Sequence, residues 1–164
     1  MAAALVPGAA VVAATAELRD VLAAVVDPEI PVLTIADLGI LRDVTESDDG
    51  EIIVTITPTY SGCPAMDHLR DEIERVLHAH GHDRVQVVTT FQPAWTTDWM
   101  TDEAKAKLTE YGIAPPRRKA GAAILCPRCS AEESRLVSEF GATACKALRV
   151  CSSCGEPFDH FKEI

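Results

Sequence analysis

Four cysteines near the C-terminus carry the clearest chemistry in this chain. They form two C-x-x-C knuckles, Cys126-Pro-Arg-Cys129 and Cys151-Ser-Ser-Cys154. Two intervening residues let both sulfurs of a knuckle face one ion, while the amides of the turn donate to them. The knuckles are separated by 21 residues, about the length of a hairpin. Together they supply the four thiolates of a closed tetrahedral zinc site. Iron suits the same donors, so the spacing does not choose between the two metals. A pair of disulfides is the alternative, and the knuckle spacing favours metal over it. The sixth cysteine, Cys145, belongs to neither knuckle. It reads as a buried hydrophobe, or as an extra ligand that replaces a knuckle sulfur in another metal state.

Cys63 lies in Ser61-Gly62-Cys63-Pro64, between an expected strand and the start of an expected helix. Peptide dipoles at a helix N-terminus stabilise an anion, so this position favours a thiolate. Such a sulfur binds soft metal or attacks an electrophile; otherwise it is a small residue filling a turn. One upstream loop carries Asp27, Glu29 and Asp37. These carboxylates can brace the loop by accepting backbone amides, or orient a group near Cys63. Asp27, beside Pro28, reads as the bracing one; Asp37 is more open, because Gly39 lets backbone come close. His68 is offset by five from Cys63, which does not share a helix face. His78, His80 and His82 read as a solvated helix end. Trp95 and Trp99 either cover the core edge or form a partner interface, and their place between two modules favours the interface.

Positioning these residues requires two modules. Leu18, Val21, Leu22, Val25 and Val26 recur at helical spacing over 15–26, and Pro28 ends that helix. A strand is expected near 38–45. Residues 51–57 alternate as a strand with Ile52, Val54 and Ile56 on one face. Pro64 opens a helix to about 80, with Met66, Leu69, Ile73, Val76 and Leu77 inward and Gly81 as its stop. A third strand covers 84–90. The fold class is α+β: a small α-β-β-α-β sheet-and-helix domain followed by a zinc-ribbon-like module. Its expected bounds are a loose tail at 1–14, the α+β domain at 15–100, a Thr101-capped helix and linker at 101–120, and the cysteine-rich module at 121–164. That module, with short strands near 135–140 and 143–150, is too small to be stable by apolar burial alone, so metal is expected to couple to its folding.

With 48% hydrophobic residues, the 164-residue chain can bury a real core. Its net charge of −10 is uneven. Residues 1–112 hold 7 Lys+Arg against 19 Asp+Glu, and residues 113–164 hold 8 against 6. An acidic body argues against a nucleic-acid partner. The apolar opening MAAALVPGAAVVAA lacks a basic start and is too short for a membrane span. Paired knuckles without an export signal point to a reducing cytoplasm. There is no G-x-x-x-x-G-K-[ST], no G-x-G-x-x-G, no G-x-S-x-G and no Glu-x-x-His. These absences argue against a P-loop ATPase, a dinucleotide enzyme, an α/β-hydrolase and a ferritin-like di-iron oxygenase.

The runs DPEIPVLTIADLGILR and TPTYSGCPAM resemble the metal–sulfur cluster biosynthesis family of small iron–sulfur assembly domains. FQPAWTTDWM, CPRC, FGATACKALRVC and CSSCGEPFDHFK narrow the resemblance to the branch that accompanies the bacterial phenylacetyl-CoA epoxidase system. The resemblance spans about residues 17–162. It implies an α+β domain with a zinc-ribbon-like tail. It also implies a non-catalytic accessory role, helping iron or iron–sulfur centres of the oxygenase or its reductase to mature. Under it, Cys63 and the acidic residue of the D-P-E motif, Glu29, become candidates for iron or cluster transfer, with Asp37 beside them, and a transient iron–sulfur cluster is expected at Cys63. Oxygenase and reductase subunits are the implied partners, and a homodimer stays open. The alternatives are a structural subunit that stays in the oxygenase complex, and a thiol enzyme that lacks an evident base.

Overall fold

The computed structural model describes residues 7–117, 119 and 121–164. Helix α1 (Pro7–Ala23) leads into an irregular loop, strand β1 (Leu41–Glu46) and strand β2 (Ile52–Ile56). Helix α2 (Ala65–Ala79) then crosses to strand β3 (Val85–Thr89). The expected α-β-β-α-β order is therefore present. β2 is the central strand, antiparallel to β1 and parallel to β3. Parallel neighbours need a crossover, which α2 supplies. Ile52, Val54 and Ile56 are buried on alternate positions of β2, as a half-covered strand requires. They meet Leu69, Ile73 and Leu77 of α2 and Leu18 and Leu22 of α1 in one core.

α1 differs from expectation at both ends. It starts at Pro7, inside the segment expected as a loose tail; residues 1–6 of that segment lie outside the described residues. Pro is well placed in a first turn, and the Ala-rich run after it has the highest helix propensity. It ends at Ala23, three residues before the expected stop. Val26 instead bridges Thr34, and the amides of Asp27 and Ile35 donate to the carbonyls of Leu33 and Val25.

The C-terminal half begins with a short 3-10 turn (Thr97–Trp99) and helix α3 (Asp102–Tyr111). Thr101 caps α3 through its side chain, which accepts the Ala104 amide at 3.0 Å. Four strands follow: β4 (Ile113–Ala114), β5 (Ser134–Ser138), β6 (Lys146–Cys151) and β7 (Pro157–Phe161), in the order β4-β7-β6-β5. β5 and β6 are the expected pair. β4 and β7 are additional: β4 falls at the edge of the expected linker and pairs in parallel with β7. Two of the linker residues, 118 and 120, lie outside the described set.

The two halves share a core. Phe161 of β7 and Cys145 are buried together with residues of the first domain. Trp95 packs on Phe161, with ring centroids 6.1 Å apart, and donates its indole N–H to the Leu38 carbonyl at 2.8 Å. Gly39 makes that junction possible. Its φ is +69°, and a Cβ there would lie 2.8 Å from the Trp99 Cβ.

Candidate functional site

The two knuckles fold into one sulfur cluster. Cys126, Cys129, Cys151 and Cys154 place their sulfurs within 4.8 Å of one another. Cys126 and Cys154 are 3.8 Å apart, Cys129 and Cys151 3.6 Å, and all are free thiols. A tetrahedral ion with metal–sulfur bonds of about 2.3 Å needs sulfurs about 3.8 Å apart, so the donors fit such an ion. Each knuckle is closed by its backbone: Ser130 donates to the Cys126 carbonyl at 2.8 Å and Gly155 to that of Cys151 at 3.1 Å. Ser130 and Gly155 both take the left-handed conformation that the tight return requires. The Cys154 amide points at the Cys151 sulfur at 3.5 Å and is the main reason that thiol is pulled down to about 6. The local core holds little more than Ala114, Cys126, Cys151 and Phe158. An ion bound by these sulfurs would therefore couple to the folding of this end of the ribbon.

A second constellation lies at the junction of the two halves. Asp27, Glu29, Thr59, Cys63 and Cys145 line one small cavity, floored by Ile30, Leu38, Ile40, Leu69 and Phe161. The loop carrying the acids is fixed by Asp27, whose Oδ1 accepts the amides of Glu29 at 2.9 Å and Ile30 at 2.8 Å. Asp27 is 6% exposed, and burial raises its carboxyl above the usual range. Burial also raises Glu29, helped by the neighbouring Asp27. Cys63 sits before α2, as expected, but the thiolate expectation fails. Burial pushes its thiol up to about 11; the Ala65 amide pulls the other way, and Glu29 and Asp27 push further up. Desolvation and two nearby acids outweigh the helix terminus. Burial likewise raises Cys145, whose sulfur shares a 3.0 Å hydrogen bond with the Thr143 hydroxyl.

Several expected residues are placed elsewhere. Asp37 does not reach this cavity. Its Oδ2 accepts the Thr34 amide at 3.0 Å and pairs with Lys107 at 2.7 Å, while Thr34 accepts the Asp37 amide in return. This is a reciprocal box that closes the turn and ties it to α3. Trp95 is 4% exposed and seals the internal junction, so it offers no partner surface. Trp99 is half-buried under the Arg42 guanidinium, which stands 3.7 Å from the ring centroid. Cys145 is not near the sulfur cluster as a spare ligand; it lines the junction cavity with Cys63. His68 lies on the exposed outer side of α2, and His80 holds the Val76 carbonyl at the helix end. The cavity also includes Asp27, expected to brace the loop, and Thr59, whose residue type and spacing carry no signal of a site. The signal available for Asp27 was its place beside Glu29 in D-P-E.

Comparison with known proteins places these features. Residues 15–89 match the iron–sulfur cluster assembly protein family, and residues 114–162 match the PaaD zinc beta ribbon domain. Fold and site thus define an iron–sulfur-assembly α+β domain joined to a cysteine ribbon. A protein of Escherichia coli (strain K12), provisionally assigned as a component of 1,2-phenylacetyl-CoA epoxidase, is 52% identical over 90% of this chain and 92% of that protein. The chain belongs to the same family as that protein, an iron–sulfur assembly domain joined to a PaaD-type zinc ribbon. An Fe-S protein maturation auxiliary factor of Porphyromonas gingivalis is 39% identical over 53% of this chain and 83% of its own length. A crystal structure of a domain of unknown function, DUF59, from Bacillus anthracis superposes with a TM-score of 0.57 at 28% identity, covering 62% of this chain and 96% of that one. Among the described residues, no helix is long and apolar enough to cross a membrane.

Proposed function

We propose that this chain is a non-catalytic accessory protein of the phenylacetyl-CoA epoxidase system. In this reading it helps iron or iron–sulfur centres of the oxygenase or its reductase to mature, in the cytoplasm. The observation that carries the proposal is the cavity that gathers Cys63, Glu29 and Asp27 at the domain junction. Cys63 and Glu29 are its partly exposed members and form its entrance, whereas Asp27 is buried. Soft sulfur selects iron over the hard cations of the cell, and adjacent carboxylates add charge complementarity. A thiol held protonated in the empty site gives up its proton when iron binds and regains it when iron leaves, which suits transient carriage rather than permanent ligation. The likeness to Fe-S protein maturation auxiliary factors, and the lack of di-iron and nucleotide motifs, support a role outside the chemistry of ring epoxidation. The ribbon, holding zinc, serves as the rigid second wall of the site.

One observation favours the alternative of a resident structural subunit. The ribbon's outer strand β5 and the turn after it expose Leu136, Val137 and Phe140. Either reading is tested by producing the oxygenase and reductase with and without this chain. Carriage predicts that one of them lacks iron when the chain is absent, and that late addition helps only with iron and sulfide supplied. Rescue of a metal-replete oxygenase by metal-free chain would overturn carriage in favour of a structural subunit.

A further inference from the structure

Two of the cavity's donors come from different halves of the chain. Cys63 belongs to the assembly domain, and Cys145 stands immediately before β6 of the ribbon sheet. We infer that Cys145 is a second thiolate ligand for iron held at Cys63, so that the cargo site is a single-ion site completed by the ribbon. The inference rests on the proposed reading of Cys63 as an iron ligand and deepens it.

Four observations carry it. The first is that both sulfurs line the same cavity, with the carboxylates of Asp27 and Glu29 as further donors. The second is orientation: the Thr143 hydroxyl holds the Cys145 sulfur at 3.0 Å, and the Cys145 carbonyl accepts the Lys162 amide at 2.9 Å. The residue is thereby fixed at both its side chain and its backbone. The third is size. The cavity measures about 10 Å³, room for one water-sized occupant and not for a cluster. The fourth is charge. Lys146, the residue after Cys145, is 5% exposed and paired with Asp159 at 3.4 Å, so a buried cation stands next to the proposed ligand. It offsets part of the charge that two thiolates and two carboxylates would gather.

The ribbon's own sulfurs are arranged differently. Among the described residues, those four are the group of three or more donors drawn within 4.8 Å of one another. The junction donors share a cavity without closing into such a cage. A closed set of four holds its ion permanently, whereas an open set with an exposed edge at Cys63 and Glu29 can load and release.

The test uses the full chain with its ribbon filled with zinc, titrated anaerobically with cobalt(II) as a spectroscopic probe for iron(II). X-ray absorption at the cobalt edge sees only the added ion. The expected result for wild type is cobalt bound by two sulfurs. Cys145→Ser should leave one sulfur, with thiolate-to-cobalt charge-transfer intensity reduced by about half and affinity weakened at least about tenfold. Cobalt bound by one sulfur in wild type overturns the inference while leaving Cys63 as carrier. So does unchanged binding in Cys145→Ser, and so does wild type that takes no cobalt beyond the ribbon. The wild-type sulfur count needs no variant, so a misfolded Cys145→Ser would not remove the test. Failure of the carrier reading itself would appear separately, as unchanged iron content of the oxygenase and reductase made without this chain.

Discussion

The raised Cys63 thiol makes a prediction that sets two physical effects against each other. A helix start alone would lower the thiol and make it reactive at neutral pH. Burial beside Glu29 and Asp27 instead moves it from an ordinary 9.0 to about 11. A shift of that size cuts the thiolate fraction at pH 7.5 by about 100-fold, and the greater nucleophilicity of the more basic thiolate restores about tenfold. Cys63 should therefore alkylate about tenfold more slowly than an unburied cysteine, before any steric slowing. The sharper signature is the pH profile. The assay is pulsed alkylation followed by quantification of the Cys63 peptide by mass spectrometry. Its rate should still climb nearly tenfold per pH unit between 9 and 10. Glu29→Gln should lower the midpoint, because removing a neighbouring negative charge eases ionisation. A rate that levels off below pH 9 would show that the helix terminus prevails, and would refute the account of Cys63 as a thiol that ionises only on binding metal.

Chelation of the ribbon ion should unfold the ribbon and, because Phe161 and Cys145 belong to the shared core, also lower the thermal midpoint of the assembly domain; calorimetry showing an unmoved assembly-domain transition would count against a joint core. Gly39→Ala should cost about 2–4 kcal/mol in urea unfolding, from left-handed backbone strain plus the contact with Trp99, and a cost below about 0.5 kcal/mol would mean the junction is loose. Glu163 is raised by its partial burial, but the side chain and amide of Arg117 more than compensate and bring its carboxyl down from 4.5 to about 2. Its contribution to stability should be complete above pH 4.5 and fade as pH falls towards 2, so Glu163→Gln should lose stability at pH 7 and converge with wild type near pH 2.

The sequence disclosed those elements whose stabilising contacts are local. α2 was readable because Leu69, Ile73 and Leu77 repeat at helical spacing between Pro64 and Gly81, and β2 because Ile52, Val54 and Ile56 alternate. The knuckles were readable because spacing alone brings two sulfurs together. β4 was not, since a two-residue strand exists only through its pairing with β7. β7 is hard to read although Phe158 and His160 alternate inward, because Pro157 and the charged residues around it resemble a turn. The burial of Trp95, the meeting of Cys145 with Cys63 and the raised Cys63 thiol share one cause. Each depends on the ribbon docking onto the first domain, and no periodicity records which faces dock. The place of Asp37 is hidden for a related reason: Thr34 lies near enough in sequence to suggest the box, but Lys107 on α3 does not.

The central claim is that Cys63 carries iron to the epoxidase system, and the most direct measurement is the iron content of oxygenase and reductase purified from cells expressing Cys63→Ala in place of the wild-type chain. The account predicts a correctly folded variant, with the ribbon ion retained, and iron deficiency in at least one of those partners. Full iron occupancy of both, alongside a folded Cys63→Ala chain, would contradict it.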